Sequence, residues 1–513
     1  MPHTPFHPSH GSLSIGDSYV PSSGNGGYTV SSYDLDLDYR VANNRLAATA
    51  VITATATHDL SRFSVDFSGL VATRVSVDGV SPSKLVESAR KLTITPARTI
   101  PAGEQFVVTV RYGGSPHPVR STWGELGWEE LSDGVLVASQ PSGAASWFPC
   151  NDHPSDKAAF LIRITTESSY SVLANGRLLS KVRRASRTAW TFETVEPMAT
   201  YLASIQIGAY RDIVLARSPV PQTVFVPPAI VARAQSDFAD QERMLALFER
   251  SFGPYPFGEY SVVVTDDDLE IPVEAHGFAV FGKNHIDGLG GSERLIAHEL
   301  AHSWFGNSLT ATTWKDIWLH EGFACYAEWL WSEESGGLSA DRLAHQHWAR
   351  LSHLPQDLAI GDPGPELMFD DRVYKRGALT LHALRITVGD DAFFELISSW
   401  ATENRYGNVT TEGFYLHAND RSPIDLDELF ETWLFSNGCR FFRTDVGVLR
   451  SVWLLLSYSI GSTITGSVPS MTTLSTRSGS FTGTSTMTAS AAEPDARSTV
   501  VRSRRRPRPV ALR

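Results

Sequence analysis

Residues 292–305 read Ser-Glu-Arg-Leu-Ile-Ala-His-Glu-Leu-Ala-His-Ser-Trp-Phe, with His298, Glu299 and His302 at the centre. Ser292 follows two glycines and suits an N-cap, and no breaker intervenes before Gly306, so the stretch predicts a helix. Residues four apart on a helix lie one above the other, which puts both imidazoles on one face. Two neutral imidazoles so arranged suit one Zn²⁺, with Glu299 close enough to act on a water there. The five-residue pattern also arises by chance, so its context decides. Catalytic zinc commonly keeps three protein ligands and one open position. Glu321 is the candidate third ligand, within an aromatic run over residues 314–328 that predicts a second helix. The plain alternative is a helix-surface carboxylate, but an unpaired carboxylate in so apolar a run is costly. His276, His320 and His382 could be mistaken for ligands, yet with three better-spaced ligands present a fourth would close the open position, so none is assigned to the metal.

A chain of 513 residues holds two or three domains and a large core. The net charge of −12 argues against a nucleic-acid binder, which normally shows a basic face. Cys150, Cys325 and Cys439 are too few and too scattered for a disulfide framework and point to a reducing compartment. The start, Met-Pro-His-Thr-Pro-Phe-His-Pro, lacks the basic and apolar regions of a signal peptide. No apolar run reaches the ~20 residues of a membrane span. A soluble cytoplasmic protein is the expectation, without membrane or nucleic-acid partners; protein partners stay unassigned.

The fold class expected is α+β. The first ten residues are read as disordered. Strand signals then dominate: Tyr33, Leu35, Leu37, Tyr39 and Val41 alternate with polar residues, and similar runs recur at 50–56, 106–112 and 160–164. Asp78-Gly79 and Gly113-Gly114 are read as the separating turns. An all-β domain over 11–217 follows. Within it, residues 140–154 break the alternation with Gln140, Trp147, Asn151, Asp152 and His153 among prolines, either a structured turn or a functional loop. After Pro227-Pro228 the pattern becomes helical: 229–252, the two motif helices, a helix at 372–385 opened by Tyr374, and a last one at 425–434. From about residue 444 Ser, Thr and Gly take over, then Arg and Pro. Residues 445–513 carry a net +6, leaving −18 for the rest. This 444–513 segment is expected to be a disordered tail. A reading-frame error in the gene is the other explanation, checked by the mass of the native protein.

The chain resembles the M1 family of zinc aminopeptidases, of the gluzincin group, over roughly residues 12–440. The family's His-Glu-x-x-His, with Glu nineteen residues after the second His, is matched by His298, Glu299, His302 and Glu321. The surrounding His-Ser-Trp-Phe-Gly-Asn and Trp-Leu-His-Glu-Gly-Phe-Ala match as well. The resemblance implies a thermolysin-like catalytic domain over 218–443, one Zn²⁺ per chain, Glu299 as general base, and Tyr374 as donor to the oxyanion within Tyr-x-Lys/Arg-Gly. The family's Gly-x-Met-Glu-Asn, whose glutamate binds the substrate's free amine, corresponds to 271–275. Glu274 keeps the carboxylate, whereas Ile271 replaces the glycine and Ala275 the asparagine. Gln140 matches the family's β-domain glutamine that also approaches the substrate's N-terminus. The family's large C-terminal helical domain has no counterpart, which implies a more open site.

The resemblance thus implies hydrolysis of the N-terminal residue from peptides with a free amine. Two alternatives stand beside it. The family also contains an epoxide hydrolase with a second tyrosine where this chain has Phe369. A degenerate relative acting as a scaffold would have lost a ligand or the base, and all of them are present. Asp316 and Glu328 are candidates to orient the zinc histidines.

Overall fold

The computed structural model describes residues 9–438. The expected 444–513 tail and Cys439 lie outside them. The disorder expected for the first ten residues is corrected at its end: Ser9–His10 forms a short strand parallel to Leu60–Asp66.

The N-terminal part is built of sheets, as the alternation predicts. A seven-stranded sheet runs, edge to edge, 177–184, 187–198, 158–167, 28–40, 45–56, 105–114 and 71–77. In Tyr28–Arg40, Tyr33, Leu35, Leu37 and Tyr39 are buried while Asp36 and Asp38 face out, so period two fixes the register against its neighbours. A five-stranded sheet (171–174, 205–208, 134–138, 124–131, 119–121) and a four-stranded one complete the domain. Gly113 and Gly114 are not a turn but the end of strand Gln105–Gly114. A Cβ on Gly113 would stand 2.7 Å from the Leu46 carbonyl oxygen, so glycine is there for close strand approach.

A second five-stranded sheet, ordered 211–216, 222–226, 260–265, 278–282 and 273–275, carries the helical part. Its first two strands form an antiparallel hairpin that spans position 217, and the second pairs in parallel with Tyr260–Thr265. The short strand Val273–Ala275 runs antiparallel to Phe278–Gly282 at the opposite edge. The helical run 229–252 is two helices, Val231–Asp237 and Gln241–Phe252, interrupted around Phe238.

Three helices frame the site: a motif helix (Glu293–Ala301), a second helix (Trp318–Glu334) and a tyrosine helix (Asp371–Val388). Ser292 precedes the motif helix, but its side chain makes no capping hydrogen bond. The tyrosine helix is capped by Asp370, whose carboxylate accepts from the Arg372 N–H. The stacked rings of Phe305 and Phe323, 4.2 Å between centroids, pack the end of the motif helix on the second helix. The second and tyrosine helices touch through glycines. A Cβ on Gly322 would lie 2.8 Å from the Gly377 Cα, and one on Gly377 would lie 2.7 Å from the Gly322 Cα.

Candidate active site

The motif helix brings His298 and His302 together as their spacing demands, with ring centroids 4.8 Å apart. His302 occupies the C-cap, still with right-handed helical backbone. Glu321, in the first turn of the second helix, reaches both rings: its Oε2 is 3.4 Å from His298 Nε2 and 3.5 Å from His302 Nε2. The three donor atoms lie within 4.8 Å of one another and all three residues are buried. Two imidazoles and one carboxylate are the protein donor set of a catalytic zinc.

The far side of each imidazole is fixed. His298 Nδ1 donates to Glu328 Oε1 at 2.8 Å, and His302 Nδ1 donates to the Phe305 carbonyl at 2.9 Å. Each bond leaves Nε2 as the nitrogen turned toward the shared point, the arrangement that ligand histidines need. Asp316, the other orienting candidate, turns elsewhere: its carboxylate accepts from the Thr411 hydroxyl and N–H. His320 is no ligand, since its Nε2 accepts from the Ala311 N–H at 2.8 Å and burial pushes its pKa down to about 3. His276 is likewise buried and held neutral, pushed down to about 3. His382 sits beside Tyr326 and Asp341, apart from the triad.

Glu299 lies on the motif helix with its Oε2 buried and without a hydrogen-bond partner in the described structure. Such an orphan is expensive unless a ligand or water completes it. Burial, despite the two imidazoles, lifts its pKa above the usual carboxylate range. Tyr374 opens the tyrosine helix and its ring stacks along His298, centroids 6.1 Å apart and planes 20° from parallel. Burial and the carboxylates of Glu321, Glu274 and Glu299 raise its pKa well above the ordinary, so it stays a phenol with a proton to donate.

Glu274 comes from the edge strand and Gln140 from the β domain, and they meet: Gln140 Nε2 donates to Glu274 Oε1 at 2.6 Å. A Glu274 oxygen, a Glu299 oxygen and a His302 nitrogen also lie within 4.8 Å of one another. Burial lifts Glu274 to about 7 against the pull of His302. Burial alone would lower His302, but Glu321 and Glu274 raise it to about 10, while Glu321 itself, despite burial, is held down at about 2 by His302 and His298. The pocket therefore has the field of a cation site: carboxylates converge and a positive charge is favoured among them.

Several supports have roles that only the structure reveals. Asn307, just after the motif helix, donates to the Ala275 carbonyl at 3.0 Å and so ties Glu274's strand to that helix. Ala275 has no side-chain amide, and its backbone carbonyl is held by Asn307. Lys157 of the β domain donates to the carbonyls of Ser308 (2.8 Å), Asn307 and Gly407. Tyr201 donates to the Gly306 carbonyl at 3.0 Å. Lys375 stands 3.5 Å from Glu328. Exposed Ile271, at the position of the family's glycine, lies outside the strand that carries Glu274.

Residues 29–202 match the sequence profile of the Peptidase M1 N-terminal domain, and 237–433 that of the Peptidase family M1 domain. Among sequence relatives, Aminopeptidase 2, mitochondrial, of Saccharomyces cerevisiae is 25% identical over 57% of this chain and 33% of its own. Tricorn protease-interacting factor F2 of Thermoplasma acidophilum is 26% identical over 60% and 41%. The chain thus spans roughly a third to two fifths of the length of these relatives. A solved M1 zinc metallopeptidase from Deinococcus radiodurans superimposes with a TM-score of 0.75 at 30% identity, covering 84% of this chain and 98% of that one. A variant of it bound to a Tyr-Ser-Ala substrate gives 0.76 at the same identity, covering 84% and 99%. Matching both M1 profiles and, at 30% identity, nearly the whole of a solved M1 zinc metallopeptidase, the chain belongs to the M1 family of zinc metallopeptidases.

Proposed function

We propose that the chain is a zinc-dependent aminopeptidase that removes the N-terminal residue from peptides. The observation that carries the reading is the closeness of two sites. Glu274, a buried carboxylate, lies within 4.8 Å of His302, which also belongs to the metal triad. In a peptide with a free amine, the ammonium and the first carbonyl are only two bonds apart. A carboxylate this near the triad would hold the ammonium with the first peptide bond beside the three donors, which favours a free N-terminus. The solved variant of the Deinococcus relative with Tyr-Ser-Ala bound supports peptides as the substrate class.

His298, His302 and Glu321 would hold one zinc ion, which would supply a Lewis acid to polarise the scissile carbonyl and to acidify the attacking water. Glu299 takes the proton of the attacking water and returns it to the leaving amine. Tyr374 donates its phenolic O–H to the oxyanion that develops on the carbonyl oxygen. Glu274 pairs with the ammonium, and Gln140 holds that carboxylate in place while remaining near enough to contact the substrate's N-terminus. Phe369, at the position of the epoxide hydrolase's second tyrosine, offers no hydroxyl and packs edge-on against Trp123 at 6.2 Å. All catalytic groups are retained, which speaks against a scaffold.

The strand pairing supports a division of the chain between Gly208 and Arg211 rather than at 217, since both strands of the 211–226 hairpin lie in the catalytic sheet. A cytoplasmic location is supported by the buried free thiols of Cys150 and Cys325. Among the described residues no helix is long and apolar enough to cross a membrane.

Aminoacyl-anilides and their N-acetylated counterparts, each with and without a zinc chelator, test the function. Chelator-sensitive cleavage restricted to free amines is the expected outcome. Equal cleavage of acetylated substrates would indicate an endopeptidase, and no cleavage by zinc-loaded protein would favour a scaffold.

A further inference from the structure

The tyrosine helix carries a residue that neither motif assigns. In Tyr374-Lys375-Arg376-Gly377, Lys375 fills the variable position of Tyr-x-Lys/Arg-Gly. It is nonetheless buried, 8% exposed, which is rare for lysine without a partner. Its Nζ donates to the Cys325 Sγ at 3.3 Å and lies 3.5 Å from Glu328 Oε2. The other oxygen of the same carboxylate accepts from His298 Nδ1. Arg294 also reaches Glu328 Oε2, at 3.3 Å, but its side chain is 54% exposed and shares its charge with water.

These contacts close on themselves. His298 is held at Nδ1 by Glu328 and along its ring face by Tyr374. Glu328 is held by Lys375, and Lys375 is the chain neighbour of Tyr374. A carboxylate that orients a ligand imidazole is useful only while its own position is fixed. The cation that fixes it here comes from the helix that also presents the tyrosine.

We propose that Lys375 is a positioning residue for the metal site: through Glu328 it sets the orientation of His298, and through the backbone it fixes Tyr374 against the same ring. The inference rests on the reading of His298, His302 and Glu321 as zinc ligands. Losing Lys375 leaves Glu328 with the hydrated Arg294 alone, so the imidazole gains freedom and Tyr374 loses its register. Metal affinity and transition-state stabilisation then fall together, while substrate binding through Glu274 is untouched.

The test compares wild type, Lys375→Met, Lys375→Gln and Arg294→Gln in the full chain. Zinc affinity is measured by competition with a chromophoric chelator, thermal unfolding is recorded alongside, and kcat and KM are taken at saturating zinc. The two Lys375 variants are expected to bind zinc about tenfold more weakly, the lower end of what outer-shell substitutions cost. In them kcat falls while KM holds. Arg294→Gln stays within about threefold of wild type, as an exposed ion pair contributes little. Zinc affinity within twofold of wild type in a folded Lys375 variant overturns the inference and reduces Lys375 to charge neutralisation in the core. If Lys375→Met does not fold, Lys375→Gln and its zinc affinity decide alone. A wild-type protein that binds no zinc overturns the metal reading itself, and this inference with it.

Discussion

Replacing Glu274 by Gln keeps the shape of the side chain and removes its charge. Glu274 is 9% exposed and its Oε1 is already engaged by Gln140 at 2.6 Å, so the group is desolvated and pre-positioned. Truncating one partner of a buried, hydrogen-bonded charge pair typically costs 2–5 kcal/mol. The amide still accepts one hydrogen bond from an ammonium, which places the loss near 3 kcal/mol, or about 150-fold in kcat/KM. The loss applies only to substrates that bring an ammonium. The assay therefore measures kcat/KM for an aminoacyl-anilide and for its N-acetylated form, in wild type and in Glu274→Gln. The expected outcome is a collapse of the preference for free amines, from the free-amine side, with cleavage of the acetylated form unchanged. A variant that loses the same factor on both substrates would show that Glu274 supports the site as a whole and reads no amine. A variant that loses nothing would remove the assignment of register to this residue altogether.

Tyr374→Phe should lower kcat about 10²–10³-fold with little change in KM, because the phenol donates to charge that exists only in the transition state; steady-state kinetics with zinc saturated check this. Chelation should lower the melting temperature, since zinc at about 1,000 times its Kd adds about 4 kcal/mol, or roughly 8–16 °C for a domain of this size; calorimetry with and without added zinc reads the shift. The third concerns pH. Asp152 is fully buried, and burial, with Asp66 adding repulsion, lifts its pKa from 3.8 to about 7. Because the folded value exceeds the unfolded one, its contribution is complete below about pH 4 and is lost as pH rises through about 7. Relative to wild type, Asp152→Asn should therefore gain stability across that window, by up to about 4 kcal/mol for a shift of about three units. Denaturant titrations at about pH 4 and pH 8 decide it, and a pH-independent difference refutes the shift.

The motif helices were legible because their signal is local. A four-residue spacing fixes where two imidazoles point, and an acid in an aromatic run must be met by something. The strands of the β domain were legible for the same reason, since Tyr33, Leu35, Leu37 and Tyr39 alternate within a single element. Glu274, Gln140 and Tyr374 came from resemblance; neither Gln140 nor Glu274 carries a period or spacing that says they meet. Pairings across the chain left no trace. The sheet to which the 211–226 hairpin belongs is invisible along the chain, because only its parallel partner, Tyr260–Thr265, reveals it. Asn307 and Lys157 act by donating to carbonyls, and any residue supplies a carbonyl, so no residue type advertises the partner. Gly113-Gly114 was misread because glycine marks turns and close strand contacts alike.

The contact between Gly322 and Gly377 determines how the site ages under mutation. Each glycine directly adjoins a motif: Gly322 follows Glu321, and Gly377 ends the turn that begins with Tyr374. With backbone resting on backbone, the separation of acid and phenol is gauged by two bare α-carbons, like a calliper closed to its stop. One methyl at either position opens the jaws, although every group that touches substrate keeps its identity. Two motifs that look independent along the chain are thus a single inheritance: drift at either glycine is felt by the other motif, and neither can be relaxed without refitting its counterpart.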